Sequence, residues 1–149
     1  MRRFKFRLQT SLKVAELRED LLRQELQQRM TACKQARDQL NRLVAQHRLL
    51  EAELREVCRV RPQIETICLF RNYLAVVHGS VRRQQSRLAE LEAELDQCRS
   101  RLHKIMLERR LLEKLKSRCW QQYRQQVLAA EQKQIDEMAI RLYQGIPSQ

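Results

Sequence analysis

The chain has 149 residues, of which two are Gly, two are Pro and 5% are aromatic, so it lacks the turns and bulk of a globular core with many elements. Charged residues make up 32% of the chain, and its many Leu, Arg, Gln and Glu residues are typical of a coiled coil or long helix rather than of a disordered segment. The formal net charge of +12 favours acidic partners, such as nucleic acid, anionic lipid or an acidic protein surface, without choosing among them.

The first predicted element is a helix with an uninterrupted heptad repeat. Apolar side chains recur every three or four residues at Leu8, Leu12, Ala15, Leu22, Leu26, Cys33, Ala36, Leu40, Leu43, Leu50, Leu54 and Val57. Only Glu19, Arg29 and His47 are polar in this stripe. An apolar residue about every 3.5 positions keeps facing a partner helix only if the two helices supercoil, so the repeat predicts a coiled-coil seam.

The same repeat sets the expected bounds of the first helix. Thr10 or Ser11 is suited to cap its N-terminus, and Pro62 disfavours helical geometry at the residue before it. We therefore predict a first helix over about 10–59 and a turn over about 60–63. At about 1.5 Å per residue this helix is about 70 Å long, and its leucine stripe requires a partner helix.

The partner is a second helix in the same chain. Its stripe runs through Leu88, Leu91, Leu95, Cys98, Leu102, Ile105, Arg109 and Leu112, and the spacing then shifts to Leu115, Cys119, Tyr123, Val127, Ala130, Met138 and Leu142. We predict a helix over about 64–143, weakened at Gly79 and followed by a tail over 144–149 that contains Gly145 and Pro147. The fold class is therefore all-α: a single domain in which two long helices form an antiparallel coiled-coil hairpin.

Two pairing registers fit these unequal helix lengths. If pairing starts at the turn, the first helix ends opposite about residue 116 and the rest of the second helix overhangs. If residues 63–87 instead form a separate cap, the first helix pairs with residues 88–137. We favour the first arrangement, because the spacing changes after Leu112, where the first helix would end.

The residue pattern argues against an enzyme or a metal site. His47, His78 and His103 do not lie at helical spacing from one another, and two glycines cannot form a phosphate-binding loop. A hairpin of two helices also offers no pocket for a nucleophile. We predict a non-enzymatic protein without cofactor, metal or small-molecule substrate, in which Glu19, Arg29 and His47 fix the register of the helices.

Two surfaces are suited to binding partners. Residues 99–118 contain eight basic and two acidic side chains. Glu108 and Glu113 can pair with neighbouring bases, and aromatic residues for stacking are absent there, so an acidic protein is favoured over nucleic acid. Residues 67–77 are apolar on more faces than a two-helix seam covers, which suits either a cap at the turn or a face that binds another protein.

The cysteines and the N-terminus bear on the cellular compartment. The five cysteines include no CxxC pair, and Cys33 and Cys98 lie in the leucine stripes, which indicates small buried side chains in a reducing compartment. Residues 1–7 are basic but lead into a charged helix rather than an apolar signal core. These features predict a cytosolic protein.

Three stretches of the sequence carry a resemblance: FKFRLQ at 4–9, ERRLLEKLK at 108–116 and EQKQIDEMA at 131–139. In this order and spacing they resemble the flagellar export protein FliJ family, and Asn72-Tyr73 before an arginine- and glutamine-rich run fits the middle of that family's pattern. The resemblance covers nearly the whole chain. Gly79 and the cysteine content depart from the family pattern.

The resemblance implies an antiparallel coiled coil similar to the paired terminal helices of the gamma subunit of rotary ATP synthases. It implies a place in the cytoplasmic part of the flagellar type III export apparatus, peripherally associated with the inner membrane at the flagellar base. The implied partners are the hexameric flagellar export ATPase, whose ring assembly the family promotes, the cytoplasmic domain of the export gate, and export chaperones.

Transferred to this sequence, the resemblance implies two sets of binding residues. The ATPase-facing residues are Phe4, Phe6, Arg7, Leu8, Gln132, Lys133, Asp136 and Glu137. The gate-facing residues are Phe70, Tyr73, Val76 and Val77. The alternatives are a related stalk of a virulence type III secretion system, a nucleic-acid-associated coiled coil, and a scaffold that dimerises through its overhanging helix.

Overall fold

The structure, a computed structural model, describes residues 4–60 and 63–144. These residues form two helices, α1 (Gln9–Val60) and α2 (Ile64–Gln144), and include no strand. The helices pack against each other as a helical hairpin, which confirms the predicted all-α fold. The predicted Pro62 turn and the tail with Gly145 and Pro147 lie outside the described residues.

Helix α1 begins at Gln9, earlier than a hydroxyl cap would place it. The backbone N–H of Gln9 donates to the Phe6 carbonyl oxygen over 3.1 Å. This backbone turn satisfies an N–H group at the helix start that otherwise needs a capping side chain. The prediction that Thr10 or Ser11 caps the helix was therefore wrong, since both lie inside α1.

The chain divides into two compact units, each built from parts of both helices. The terminal unit comprises Met1–Glu19 and Lys104–Gln149, and the central unit comprises Asp20–His103. In the terminal unit the buried side chains include Leu12, Ala15 and Glu19. In the central unit they are Cys33, Ala36, Val77, Leu95 and Cys98.

The two cysteines of the leucine stripes are buried, as the sequence predicts. Cys98 is 0% exposed, and its Sγ lies 3.9 Å from the Leu22 carbonyl oxygen of the facing helix. Cys33 is 7% exposed. All five thiols are free, and these two act as small apolar side chains of the central unit.

The pairing of the central unit starts in the first part of α2. The Gln46 Nε2 donates to the Tyr73 hydroxyl over 2.8 Å, and the Gln84 Nε2 donates to the Ala36 carbonyl oxygen over 3.1 Å. Residue numbers rise along α1 as those of their α2 partners fall, so the helices run antiparallel. Residues 63–87 therefore pair with α1 and do not form a separate cap. Of the two registers considered above, this is the favoured one, in which pairing starts at the turn.

Polar residues of the α1 stripe have partners on α2. In the terminal unit, the Glu19 Oε2 lies 2.6 Å from the Arg109 Nε. In the central unit, the Arg29 Nη1 lies 2.5 Å from the Glu94 Oε2, and the His47 ring lies 5.7 Å from the His78 ring between centroids. Such partners favour one register, because sliding either helix would separate the buried Glu19 carboxylate from Arg109 and would break the partly exposed pair of Arg29 with Glu94.

A charged network surrounds Arg29 in the central unit. The Glu25 Oε1 accepts hydrogen bonds from the Arg29 Nε over 2.9 Å and from the Arg101 Nη2 over 3.0 Å. The hydrogen bond from Arg29, with help from Arg101, holds the pKa of the Glu25 carboxyl below its ordinary value. The same hydrogen bond raises the pKa of the Arg29 guanidinium.

Candidate functional site

An aromatic cluster of Phe4, Trp120 and Tyr123 joins the N-terminal segment to α2 in the terminal unit. The Phe4 ring lies 5.2 Å from the Trp120 ring at 77°, an edge-to-face contact, and 5.6 Å from the Tyr123 ring between centroids. Trp120 and Tyr123 are three residues apart on α2, so both project from one helix face. Aromatic pairs of this geometry each contribute about 0.5–1.5 kcal/mol beyond burial, which favours this placement of the N-terminal segment against α2.

A groove lies beside this cluster. One wall consists of Lys5, Phe6, Arg7 and Leu8, and the other contains Leu115 and Cys119 of α2; the groove encloses ≈ 470 Å³. Leu115 was predicted in the helix seam, but it is 41% exposed. The half-buried face of α2 passes instead through Leu112, Lys116, Cys119 and Tyr123, so Leu115 lies at its edge and lines the groove.

The two stretches of sequence that contain the groove residues carry only positive charges. Residues 4–15 and 114–130 contain no Asp or Glu. They contain seven bases, the cationic set: Lys5, Arg7, Lys13, Lys114, Lys116, Arg118 and Arg124. Among the residues that the structure describes, no ion pair involves a member of this set. This end of the terminal unit therefore presents apolar and aromatic groups inside a positive field.

The predicted ATPase-facing residues fall into two groups in the structure. Phe4, Phe6, Arg7 and Leu8 form the cluster and the groove wall. Gln132, Lys133, Asp136 and Glu137 are exposed further along α2, where the Gln132 Nε2 donates to the Asp136 Oδ1 over 2.8 Å. Nine residues of helix separate Tyr123 from Gln132, about 14 Å along the axis, and no described contact brings the two groups together.

The predicted gate-facing residues differ in accessibility within the central unit. Tyr73 is 47% exposed and Val76 is 62% exposed, whereas Phe70 is half-buried. Val77 is only 4% exposed, so its side chain belongs to the core between the helices. The part of this set that a partner can reach therefore consists of Phe70, Tyr73 and Val76.

The basic stretch over residues 99–118 is partly neutralised within the fold. In the central unit, the Arg99 Nη1 lies 3.0 Å from the Asp96 Oδ1, and Arg101 pairs with Glu25. In the terminal unit, Arg109 contacts both Glu19 and Glu113. Three of its eight bases are thus occupied by carboxylates, which lowers the number available for phosphate groups.

Sequence reasoning missed the α2 half of the site. Trp120 is the only Trp of the chain, and it received no role, although it lies in the region of α2 where the first helix was expected to end. Its spacing to Tyr123 was a usable signal, because two aromatics three residues apart form one apolar patch on a helix. Leu115 was assigned to the seam because spacing alone does not separate the seam from its edge, whereas Cys119 lies on the half-buried face, as its place in the stripe predicts.

Residues 4–60 and 63–144 contain neither a metal-binding cluster nor a membrane-spanning helix. No group of three or more His, Cys, Asp or Glu side chains there has an arrangement that could hold a metal ion. No helix in that part of the chain is long and apolar enough to cross a membrane.

Comparison with protein families gives one match over nearly the full length. The family model described as "Flagellar FliJ protein" matches residues 4–147. This span includes both helices, the aromatic cluster, the groove and all twelve predicted binding residues. In the corresponding comparisons, no curated protein and no solved structure matches the chain.

Proposed function

The chain belongs to the flagellar FliJ family and is a protein related to flagellar export, and from this premise we propose that it is a non-enzymatic stalk or adaptor of the type III export apparatus. In this proposal the terminal unit binds the hexameric export ATPase and promotes assembly of its ring. The observation that supports it best is the aromatic cluster and groove, where Phe4 packs on Trp120 beside seven bases and no acids. The protein then acts in the cytoplasm, peripherally associated with the inner membrane at the flagellar base.

The composition of this surface suits protein recognition. Aromatic residues and Arg dominate the energetics of protein interfaces. The aromatic side chains bury much area at little cost in conformational entropy. Trp120 is 49% exposed, so part of its ring remains available to a partner although Phe4 packs on it. The cationic set would accelerate encounter with an acidic surface, and that acceleration falls as ionic strength rises.

A second surface of the proposal binds the export gate. Tyr73 and Val76 are exposed in the central unit, and Ile64 and Leu69 nearby on α2 are 79% and 69% exposed. An exposed apolar patch on one helix is a common docking face for a partner groove. We assign this face to the cytoplasmic domain of the gate, and we include export chaperones among the partners on the basis of family membership.

The main test is ATP hydrolysis by the cognate export ATPase, below its assembly concentration, with and without this protein. Stimulation is expected with the wild-type chain, and the double variant Phe4→Ala/Phe6→Ala is expected to lose most of it, because the anchors of the terminal unit are removed. The matched control is Leu21→Ala/Leu49→Ala, which truncates two leucines of the central unit that are each 65% exposed. Unchanged stimulation by Phe4→Ala/Phe6→Ala, or equal loss in the control, contradicts the proposed ATPase contact.

The gate contact is tested separately. Tyr73→Ala/Val76→Ala is expected to weaken binding to the isolated gate domain about tenfold or more in calorimetry, since two anchors lose their side chains. The same variant should stimulate the ATPase normally. Wild-type affinity for the gate domain would remove this face from the proposal.

A further inference from the structure

We infer that the groove of the terminal unit is a docking site for an acidic amphipathic segment of a partner protein, with an apolar side chain against Leu115 and Cys119 and carboxylates on Lys5 and Arg7. This inference rests on the proposed function, because it names the chemistry of the segment that the same unit binds. The occupant is a protein segment of defined character: bulky apolar residues flanked by Asp or Glu.

The apolar part of the argument comes from the walls of the groove. Phe6 and Leu8 face Leu115 and Cys119 across a space of ≈ 470 Å³, a volume within the range of about 300–1,000 Å³ that compact binding sites occupy. Leu8 and Leu115 are 39% and 41% exposed. A partner side chain placed between them would remove apolar surface from water at about 25 cal/mol per Å².

The positive charge at the groove favours acidic residues on either side of the partner's apolar side chain. Lys5 and Arg7 are part of the wall itself, and Lys114, Lys116 and Arg118 belong to the adjoining turns of α2. No carboxylate of residues 4–15 or 114–130 competes for them. An acidic segment would therefore gain charge-assisted hydrogen bonds without displacing internal partners. A second copy of this chain would bring the same positive groove and be repelled.

The geometry of the aromatic cluster favours a protein over a nucleic acid. Proteins that bind single strands present open aromatic faces on which successive bases stack. Here the rings of Phe4, Trp120 and Tyr123 pack on one another, with centroids 5.2–5.7 Å apart. This packing leaves Phe4 and Tyr123 half-buried and Trp120 49% exposed, so the cluster offers no row of open aromatic faces, and a short groove with apolar walls lies beside it.

Trp120 supplies a direct assay, because it is the only Trp and adjoins the groove. The full chain is titrated with a synthetic peptide of Leu and Glu in helical spacing, with the same peptide carrying Gln for Glu, and with a single-stranded oligonucleotide of equal charge. The acidic peptide is expected to change the Trp fluorescence saturably and to bind about tenfold tighter than the neutral peptide. Its affinity should fall as salt is raised.

Charge reversal at the groove is the decisive variant. Lys5→Glu/Arg7→Glu is expected to weaken the acidic peptide about tenfold or more, whereas Lys34→Glu/Arg48→Glu, which makes the same change at two exposed bases of the central unit, should leave its affinity within about twofold. Circular dichroism of each variant shows that the helices are intact. The inference is overturned if Lys5→Glu/Arg7→Glu binds the acidic peptide as tightly as the wild type does. It is also overturned if the wild type binds the neutral peptide as tightly as the acidic one.

Cys119 provides a second readout that does not depend on fluorescence. In a Cys58→Ser/Cys68→Ser background, Cys33 and Cys98 remain buried, so Cys119 is the accessible thiol at the groove. The acidic peptide should slow its alkylation in proportion to occupancy. Saturable fluorescence change without protection of Cys119 would show that the peptide binds elsewhere and would overturn the groove assignment.

The outcomes separate this inference from the proposed function. If Lys5→Glu/Arg7→Glu stimulates the ATPase normally while Phe4→Ala/Phe6→Ala does not, the acidic-segment inference fails and the stalk proposal stands. If the acidic peptide binds the groove but Phe4→Ala/Phe6→Ala stimulates the ATPase normally, the ATPase contact fails and the groove takes another acidic protein. An oligonucleotide that displaces the peptide and binds tighter overturns the choice of a protein partner.

Discussion

The two units differ in how some of their basic side chains are used: several in the central unit form ion pairs between the helices, whereas the cationic set of the terminal unit forms none among the described residues. In the central unit, Arg29, Arg37 and Arg101 pair with glutamates of the facing helix. The cationic set of the terminal unit has no acid within its own stretches of sequence. This difference supports the proposal that the end of the terminal unit binds a partner, whereas ion pairs of the central unit help to fix the register of the helices.

The aromatic content differs in the same direction. In the central unit, Phe70 is half-buried on α2, and the Tyr73 hydroxyl accepts a hydrogen bond from Gln46 of α1. In the terminal unit, Phe4, Trp120 and Tyr123 contact one another. This contrast supports the proposal that the aromatic cluster at the cationic end binds a partner, since aromatic residues are enriched among the residues that dominate binding at interfaces.

The largest expected effect is the loss of a buried leucine in either unit. Leu95→Ala in the central unit should lower the free energy of unfolding by about 3 kcal/mol, because Leu95 is 8% exposed and its removal leaves a cavity. Leu12→Ala is the counterpart in the terminal unit, where Leu12 is 3% exposed. Amide hydrogen exchange should accelerate first in the unit that carries the change. Uniform acceleration in both variants would show that the units open together.

The next largest effect concerns the buried pair of the terminal unit. Glu19 is 3% exposed, so Glu19→Ala leaves Arg109 half-buried with only Glu113 and should cost about 2 kcal/mol in chemical denaturation. The double change Glu19→Leu/Arg109→Leu continues the apolar stripe and should recover this loss. If the double variant is less stable than Glu19→Ala, the ion pair of Glu19 with Arg109 adds net stability to the fold in addition to fixing the register.

A smaller effect of opposite sign is expected at Gly79 in the central unit. Gly79 has an ordinary helical backbone, and an added Cβ would meet only the Arg83 Nη1, at 3.7 Å. Gly79→Ala should therefore raise the free energy of unfolding by about 1 kcal/mol, since Ala restricts the unfolded chain. The same variant should bind the acidic peptide like the wild type. A loss of stability would indicate that the helix bends at this residue.

The smallest effect is an acid dependence confined to the central unit. The pKa of Glu25 is lowered in the folded chain by its hydrogen bond from Arg29 and by Arg101. Its stabilising contribution is therefore complete above the ordinary pKa of 4.5 and is lost as the pH falls through the lowered value. Glu25→Gln should reduce the difference in stability between neutral pH and about pH 3, measured by thermal melts. An unchanged difference would mean that other carboxyls account for it.

By itself, the sequence determined the two helices, the seam, the burial of Cys33 and Cys98, and the family. These properties follow from local periodicity and ordered motifs, because an apolar residue every three or four positions forces a helix to bury one stripe wherever its partner comes from. The predicted bounds of the two helices, about 10–59 and 64–143, differ by one residue or less from those of α1 and α2. A backbone turn at Phe6, however, starts α1 without the predicted hydroxyl cap.

Only the tertiary structure decided which side chains meet. Four features depend on how the helices align: the contact of Phe4 with Trp120, the contact of His47 with His78, the exposure of Leu115 and the burial of Val77. A shift of one residue in the predicted alignment would change each of them. Periodicity gives each helix its face but leaves the alignment between the faces open. The alignment is set by long-range pairs such as Glu19 with Arg109 and Arg29 with Glu94, whose partners are 90 and 65 residues apart in the chain.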